Sequence, residues 1–199
     1  MKHSVGNYRL ILASNSPRRK ELLSGLDLDY EVKTLPDIEE SYPDSLQREE
    51  IPLYLARLKA DAYRGLMRDD TLLITADTIV WLNGKVYGKP ADREEAIRML
   101  QDLSGQTHEV LTGVCLTTKN RQESFFAMTK VRFSELELSE IEYYIDKYKP
   151  YDKAGAYGVQ EWIGYVGVEY LEGSFYNVMG LPVRLLYAKL KEYGFAELK

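Results

Sequence analysis

Apolar residues along this chain come in short blocks broken by polar punctuation, and their spacing switches between the two-residue repeat of strands and the 3.6-residue repeat of helices. Residues 8 to 14 read as a buried strand that ends in Ser14-Asn15-Ser16-Pro17, where Ser16 can cap a helix and Pro17 can be its first residue. A helix over 18–26, a strand over 30–34 and an acidic loop over 35–50 follow. The next helix, 51–67, places Leu55, Leu58, Ala62 and Leu66 on one face. Residues 71–77 form a second apolar strand ending at Asp77, and 81–86 hold Asn83-Gly84, a strong hairpin signal. Asp92 with Glu95 marks the start of a helix reaching Leu103, and Gly105 lies just past its end. Strands over 109–118 and 123–133 flank a polar turn at Lys119-Asn120-Arg121-Gln122. Ser139 with Glu142 reads as a capping box for a helix whose face carries Ile141, Tyr144, Ile145 and Tyr148. A last helix runs from Pro182 to Gly194. Hairpins set among alternating strands and helices predict an α/β protein with a mixed sheet.

A length of 199 residues suits one domain, or one domain split into two lobes around a cleft. No apolar run approaches the ~20 residues needed to span a bilayer, and the first residues do not read as a signal peptide. One cysteine, Cys115, excludes an internal disulfide and a Cys-rich zinc site; in Val114-Cys115-Leu116 it reads as a small core residue. With His3 and His108 as the two histidines, a histidine-based triad or metal site is not expected. The setting implied is reducing and cytoplasmic. A formal charge of −5 gives no support to nucleic-acid binding, although local clusters of Lys and Arg can still hold phosphates.

Five features could carry chemistry. Ser14-Asn15-Ser16-Pro17-Arg18-Arg19 feeds a strand into a capped helix, whose free N–H groups and dipole favour an anion. Its Arg18, Arg19 and Lys20 lie at the dipole end that disfavours cations, so the feature is either a solvated basic turn or a phosphate site. It lacks the glycines of a Walker A loop. Ser-Pro-Arg-Arg also resembles minor-groove-binding repeats, but one copy in an acidic chain argues against that use. Asp77 in Ile74-Thr75-Ala76-Asp77-Thr78 is either a turn-opening Asp or a group that ligates a metal or activates water. Lys59 lies on the apolar stripe of its helix and Lys89 in the constrained Gly88-Lys89-Pro90 turn; each either reaches solvent or holds a phosphate. The acidic loop carries Asp37, Glu39, Glu40, Asp44, Glu49 and Glu50, of which one or two could complete an oxygen-ligand site for magnesium. Gly155-Ala156-Tyr157-Gly158-Val159-Gln160 and the 173–182 loop bring backbone close to a ligand or to another strand, and Gln160 offers the donors and acceptors that suit a base edge. Together these features suit metal-assisted phosphoryl chemistry on a nucleotide.

Ser14-Asn15-Ser16-Pro17-Arg18-Arg19, Thr75-Ala76-Asp77-Thr78, Gly88-Lys89-Pro90, Leu103-Ser104-Gly105-Gln106-Thr107-His108 and the Asp152 to Gln160 segment resemble, in order, the motifs of Maf proteins. The resemblance runs from Tyr8 to Tyr193. It implies that residues 1–199 form a single Maf-like domain: a long curved mixed sheet with flanking helices, in two lobes around a nucleotide cleft, similar to inosine triphosphate pyrophosphatases. It further implies a cytoplasmic homodimer with no membrane or nucleic-acid partner, dependent on a divalent cation (Mg2+, or Mn2+ or Co2+). Asp77 matches the family's general base, and Arg18, Thr78 and Gln160 match its specificity residues. Ser14, Arg18, Lys59 and Lys89 match phosphate-binding positions, while Glu40 with Asp77 matches the metal site. The Arg–Thr–Gln combination resembles the subgroup that cuts dTTP and UTP to monophosphate and pyrophosphate; a second subgroup prefers 7-methyl-GTP. Glu161-Trp162 is bulkier than the small residues expected after Gln160, and Phe175-Tyr176 adds aromatics in the Gly173 loop; both bear on the size of the base pocket. Because members are linked to arrest of cell division, the alternative of another class is a nucleotide-sensing binding protein. Retention of Asp77 and both lysines favours an enzyme.

Overall fold

The computed structural model describes residues 4–36 and 38–195, so His3 and Asp37 lie outside the described residues. Its strands are β1 (Arg9–Leu12), β2 (Tyr30–Val32), β3 (Thr71–Leu82), β4 (Lys85–Tyr87), β5 (Thr107–Thr117), β6 (Gln122–Phe133) and β7 (Val168–Glu172). Its helices are α1 (Pro17–Ser24), α2 (Glu50–Ala62), α3 (Arg93–Leu103), α4 (Leu138–Tyr148), α5 (Trp162–Gly167), α6 (Phe175–Met179) and α7 (Val183–Lys191). The described strands form one sheet in the order β2-β1-β3-β5-β6-β7, with β4 paired to β3 off that path. β1 runs parallel to β2 and to β3, whereas β3–β4 and β6–β7 are antiparallel. The class is α/β with a mixed sheet.

The chain folds as two compact units, one made of the segments up to Asp77, Thr112–Ala127 and from Gly180 onward, the other of Thr78–Leu111 and Met128–Met179. In the first unit, Leu10 to Leu12 register with Leu72 to Ile74. α2 covers this part of the sheet through a cluster of Ile11, Ala56, Ala60, Tyr63, Leu73 and Cys115. Close approach is built in at Gly113, where a Cβ would lie 2.5 Å from the Pro52 carbonyl oxygen of α2. Thr75 in β3 donates its hydroxyl to the Ala56 carbonyl at 2.6 Å, fixing the helix along the strand. In the second unit, α3 packs on α4. Arg93 adds two hydrogen bonds to Asp146 at 2.7 and 3.0 Å. In the same unit His108, Phe133 and Tyr157 form an edge-to-face aromatic cluster with centroids 4.9 to 5.5 Å apart.

Four expectations need correction. The strand expected to stop at Asp77 continues to Leu82, because Ile79, Val80 and Leu82 are buried too and the charge at 77 is neutralised locally. α2 ends at Ala62, ahead of Gly65, and buries Ile51, Leu55, Ala56 and Ala60, so Ala62 and Leu66 are exposed. α4 opens at Leu138, with Glu140 Oε2 accepting the Glu137 N–H at 2.9 Å, which displaces the Ser139–Glu142 box. α5, β7 and α6 were not anticipated. No helix among the described residues is long and apolar enough to cross a membrane.

Candidate active site

At the end of β1 the Ala13 N–H bonds to the Ile74 carbonyl of β3 at 2.9 Å, so the chain leaves the sheet level with the residues that precede Asp77. Ser14 is 8% exposed, and its Oγ accepts the Ser16 N–H at 3.2 Å. Ser16 in turn caps α1 by accepting the Arg19 N–H, with Pro17 as the first helical residue. Two local rules, a hydroxyl at the cap and a proline at N1, thus place the first turn of α1 beside β3.

Arg19 then reaches back to the sheet. Its Nε donates to the Gly180 carbonyl and a terminal nitrogen donates to the Ala76 carbonyl, each at 2.8 Å. Burial lowers its pKa, opposed by the nearby charge of Asp77, while Arg18 acts in the same direction as burial. A guanidinium titrates so far above neutrality that it stays charged. Arg19 therefore ties α1, the loop at Gly180 and the residue before Asp77 into one frame. The sequence signal for it is the run of cations in a first turn that disfavours them; Arg19 is not among the residues expected at the site.

Asp77 lies within β3, 8% exposed. Lys59 of α2 places its Nζ 2.7 Å from Asp77 Oδ1 and 2.9 Å from Glu40 Oε2. The Lys59 and Asp77 side chains are 12% and 11% exposed and Glu40 43%, so one ammonium bridges a buried and a half-open carboxylate. The stripe position of Lys59 is thus used for an ion pair inside the unit, with little of the side chain in solvent. Charges this close in a partly dry setting interact more strongly than surface pairs. The first unit therefore gathers Ser14, Arg18, Arg19, Glu40, Lys59 and Asp77. Glu39, Asp44 and Glu50 are exposed, and among the described residues no group of three or more His, Cys, Asp or Glu is arranged to hold a metal.

Thr78, Lys89 and Gln160 belong to the second unit. Thr78 is half-buried and Lys89 is exposed, in a turn whose Gly88 carbonyl accepts the Gly155 N–H at 2.9 Å. Gln160 is half-buried, yet its Oε1 is enclosed without a hydrogen-bond partner. A buried amide oxygen left unpaired costs free energy unless a ligand donates to it.

The family model for Maf-like proteins matches residues 9–193. The chain belongs to this family. Among relatives of the Maf chain, a dTTP/UTP pyrophosphatase of Bacteroides fragilis is 60% identical over 96% of this chain and 100% of its own. One of Bacteroides thetaiotaomicron is 62% identical over 96% and 100%, and one of Porphyromonas gingivalis 58% identical over 98% and 98%. Among solved structures, a HAM1 protein from Coxiella burnetii is similar at a TM-score of 0.47 and 17% identity, over 93% of this Maf chain and 99% of that one.

Proposed function

We propose that this protein hydrolyses dTTP and UTP to the nucleoside monophosphate and pyrophosphate, in the cytoplasm and as a homodimer, with Asp77 as the general base. The observation that carries the reading is the Lys59 ammonium held between Asp77 and Glu40 beside the N-terminus of α1. The names of the Bacteroides and Porphyromonas relatives support the substrate.

Asp77 takes the proton of the attacking water, and its burial beside Lys59 fixes the carboxylate in one orientation. Ser14, Arg18, Lys59 and Lys89, with the N–H groups of α1, hold the phosphates and stabilise the charge that grows on the leaving pyrophosphate. Arg18, Thr78 and Gln160 select the base. Asp77 and Glu40 already share one cation, and two carboxylates of this kind fit a hard divalent ion whose other ligands are water and phosphate oxygens. We assign them that ion, Mg2+ or alternatively Mn2+ or Co2+, which when bound supplies charge neutralisation and polarisation of the phosphate oxygens.

Turnover in ¹⁸O-water tests the reaction. Attack at the α-phosphorus puts the label in the monophosphate and none in pyrophosphate. Label in pyrophosphate, or release of orthophosphate with nucleoside diphosphate, overturns the assignment.

A further inference from the structure

In the second unit Gln160 rides on a turn whose ends are joined twice. The Glu161 N–H donates to the Gly158 carbonyl at 2.9 Å, closing the turn around Val159 and Gln160. From the other side the Gly158 N–H donates at 2.9 Å to the hydroxyl of Tyr144 on α4, and that hydroxyl donates to Glu161 Oε2. The other oxygen of Glu161 lies 3.2 Å from Lys153 Nζ, which also pairs with Asp152 at 2.8 Å. Lys153 and Glu161 side chains are 10% and 19% exposed, and Tyr144 is fully buried. The glycine at 158 leaves room for both side chains, since a Cβ there would lie 2.9 Å from Glu161 Oε2 and 3.0 Å from Gln160 Nε2, and either would have to shift to admit it.

We infer that Glu161, acting with Tyr144 and Lys153, is a positioning residue that sets base selection by fixing the turn that carries Gln160. The inference rests on the proposed role of Gln160 in selecting the base. None of the three supporting side chains needs to touch the nucleotide. Burial and the Glu161 carboxylate both raise the Tyr144 pKa, so the hydroxyl remains a fixed donor. The carboxylate is thereby held at both oxygens, one by a hydroxyl and one by an ammonium. Removing the Tyr144 hydroxyl breaks two links at once and leaves the Gly158 N–H without its acceptor. Removing the charge of Glu161 keeps its shape and loosens the Lys153 link.

The test uses Tyr144→Phe, Glu161→Gln and Gln160→Ala in the full chain, each alone, and each of the first two combined with the third. Initial rates are measured with dTTP, UTP and CTP, and folding is followed by thermal denaturation. The expected result is a loss in kcat/KM for dTTP of about 10- to 100-fold in Tyr144→Phe, carried mainly by KM, as a small misplacement of a positioning group produces. Glu161→Gln shows a smaller loss of the same kind. The preference for dTTP and UTP over CTP narrows in both. In the Gln160→Ala background neither substitution changes that preference further, an outcome that mere destabilisation would not give. If Gln160→Ala narrows selectivity while Tyr144→Phe and Glu161→Gln leave it intact, the positioning role is overturned and the reading of Gln160 stands. If Gln160→Ala leaves selectivity untouched, the reading of Gln160 fails and the positioning role falls with it. Should Tyr144→Phe fold poorly, the near-isosteric Glu161→Gln decides alone by the same criteria.

Discussion

Lys59 has two anionic partners, and this shapes what a change at Asp77 would do. Asp77→Asn keeps the size of the side chain and removes its basicity. Lys59 retains Glu40 at 2.9 Å, so the ammonium is not stranded and the melting temperature should move little. Loss of a general base typically costs about 100- to 10,000-fold in rate, so kcat with dTTP should fall in that range while KM changes little. Steady-state kinetics beside a melting curve check both halves. A variant with near-normal kcat would remove Asp77 from the base role. Arg19 differs in kind: two of its donors bind the Ala76 and Gly180 carbonyls, which makes it a brace for the strand position of Asp77.

Among the elements, α5 shows how closely the Gln160 turn is packed. A Cβ on Gly164 would lie 1.8 Å from the Val159 carbonyl oxygen, so helix or turn must move to admit it. Gly164→Ala should cost about 1–3 kcal/mol, as overpacking does, and raise KM for dTTP. Denaturant unfolding with parallel kinetics tests this, and an unchanged midpoint would contradict the close packing. The elements legible in the sequence were those set by neighbours in the chain. Ser16 with Pro17, Asp92 accepting the Glu95 N–H, and Asn83-Gly84 with both residues at positive φ each act over a few residues. What the sequence hid depended on distant partners. Asp77 could not be placed inside a strand without knowing that Lys59 neutralises it, and Glu137 lacks the short side chain expected of a cap. β7 reads poorly because Glu169, Tyr170 and Glu172 are exposed, which blurs the apolar pattern. For the site, the residues themselves pointed to the Ser14–Arg19 turn, Lys59 and Asp77, and only the resemblance to Maf motifs picked Glu40 out of the acidic loop; that Lys59 bridges Glu40 and Asp77 required the fold.

For the molecule as a whole, His108 gives stability a dependence on pH. It is 1% exposed, its Nε2 lies 2.7 Å from the Tyr157 hydroxyl, and burial lowers its pKa to about 4. The unfolded chain takes up a proton near pH 6.5 and the folded chain does not, so the unfolded state gains as pH falls below 6.5. Stability should drop by up to about 1.4 kcal/mol per pH unit from this residue, levelling off only near the folded value. Comparing unfolding free energies between pH 6.5 and 5 in the parent and in His108→Gln isolates the contribution. An equal slope in both would mean that His108 titrates normally. The two units carry a consequence of another sort. The chain passes between them after Asp77, Leu111, Ala127 and Met179, and the first three of these passages lie inside β3, β5 and β6. Neither unit is a contiguous stretch of gene, and three of the four joints are hydrogen-bonded strand interiors where an exposed linker would be the usual seam. A chimera that swaps the second unit for that of a relative must therefore be spliced in two pieces, with strand register kept through three splice points. If the Gln160 turn sets base selection as proposed, point changes around it are a simpler way to alter selectivity than exchange of modules.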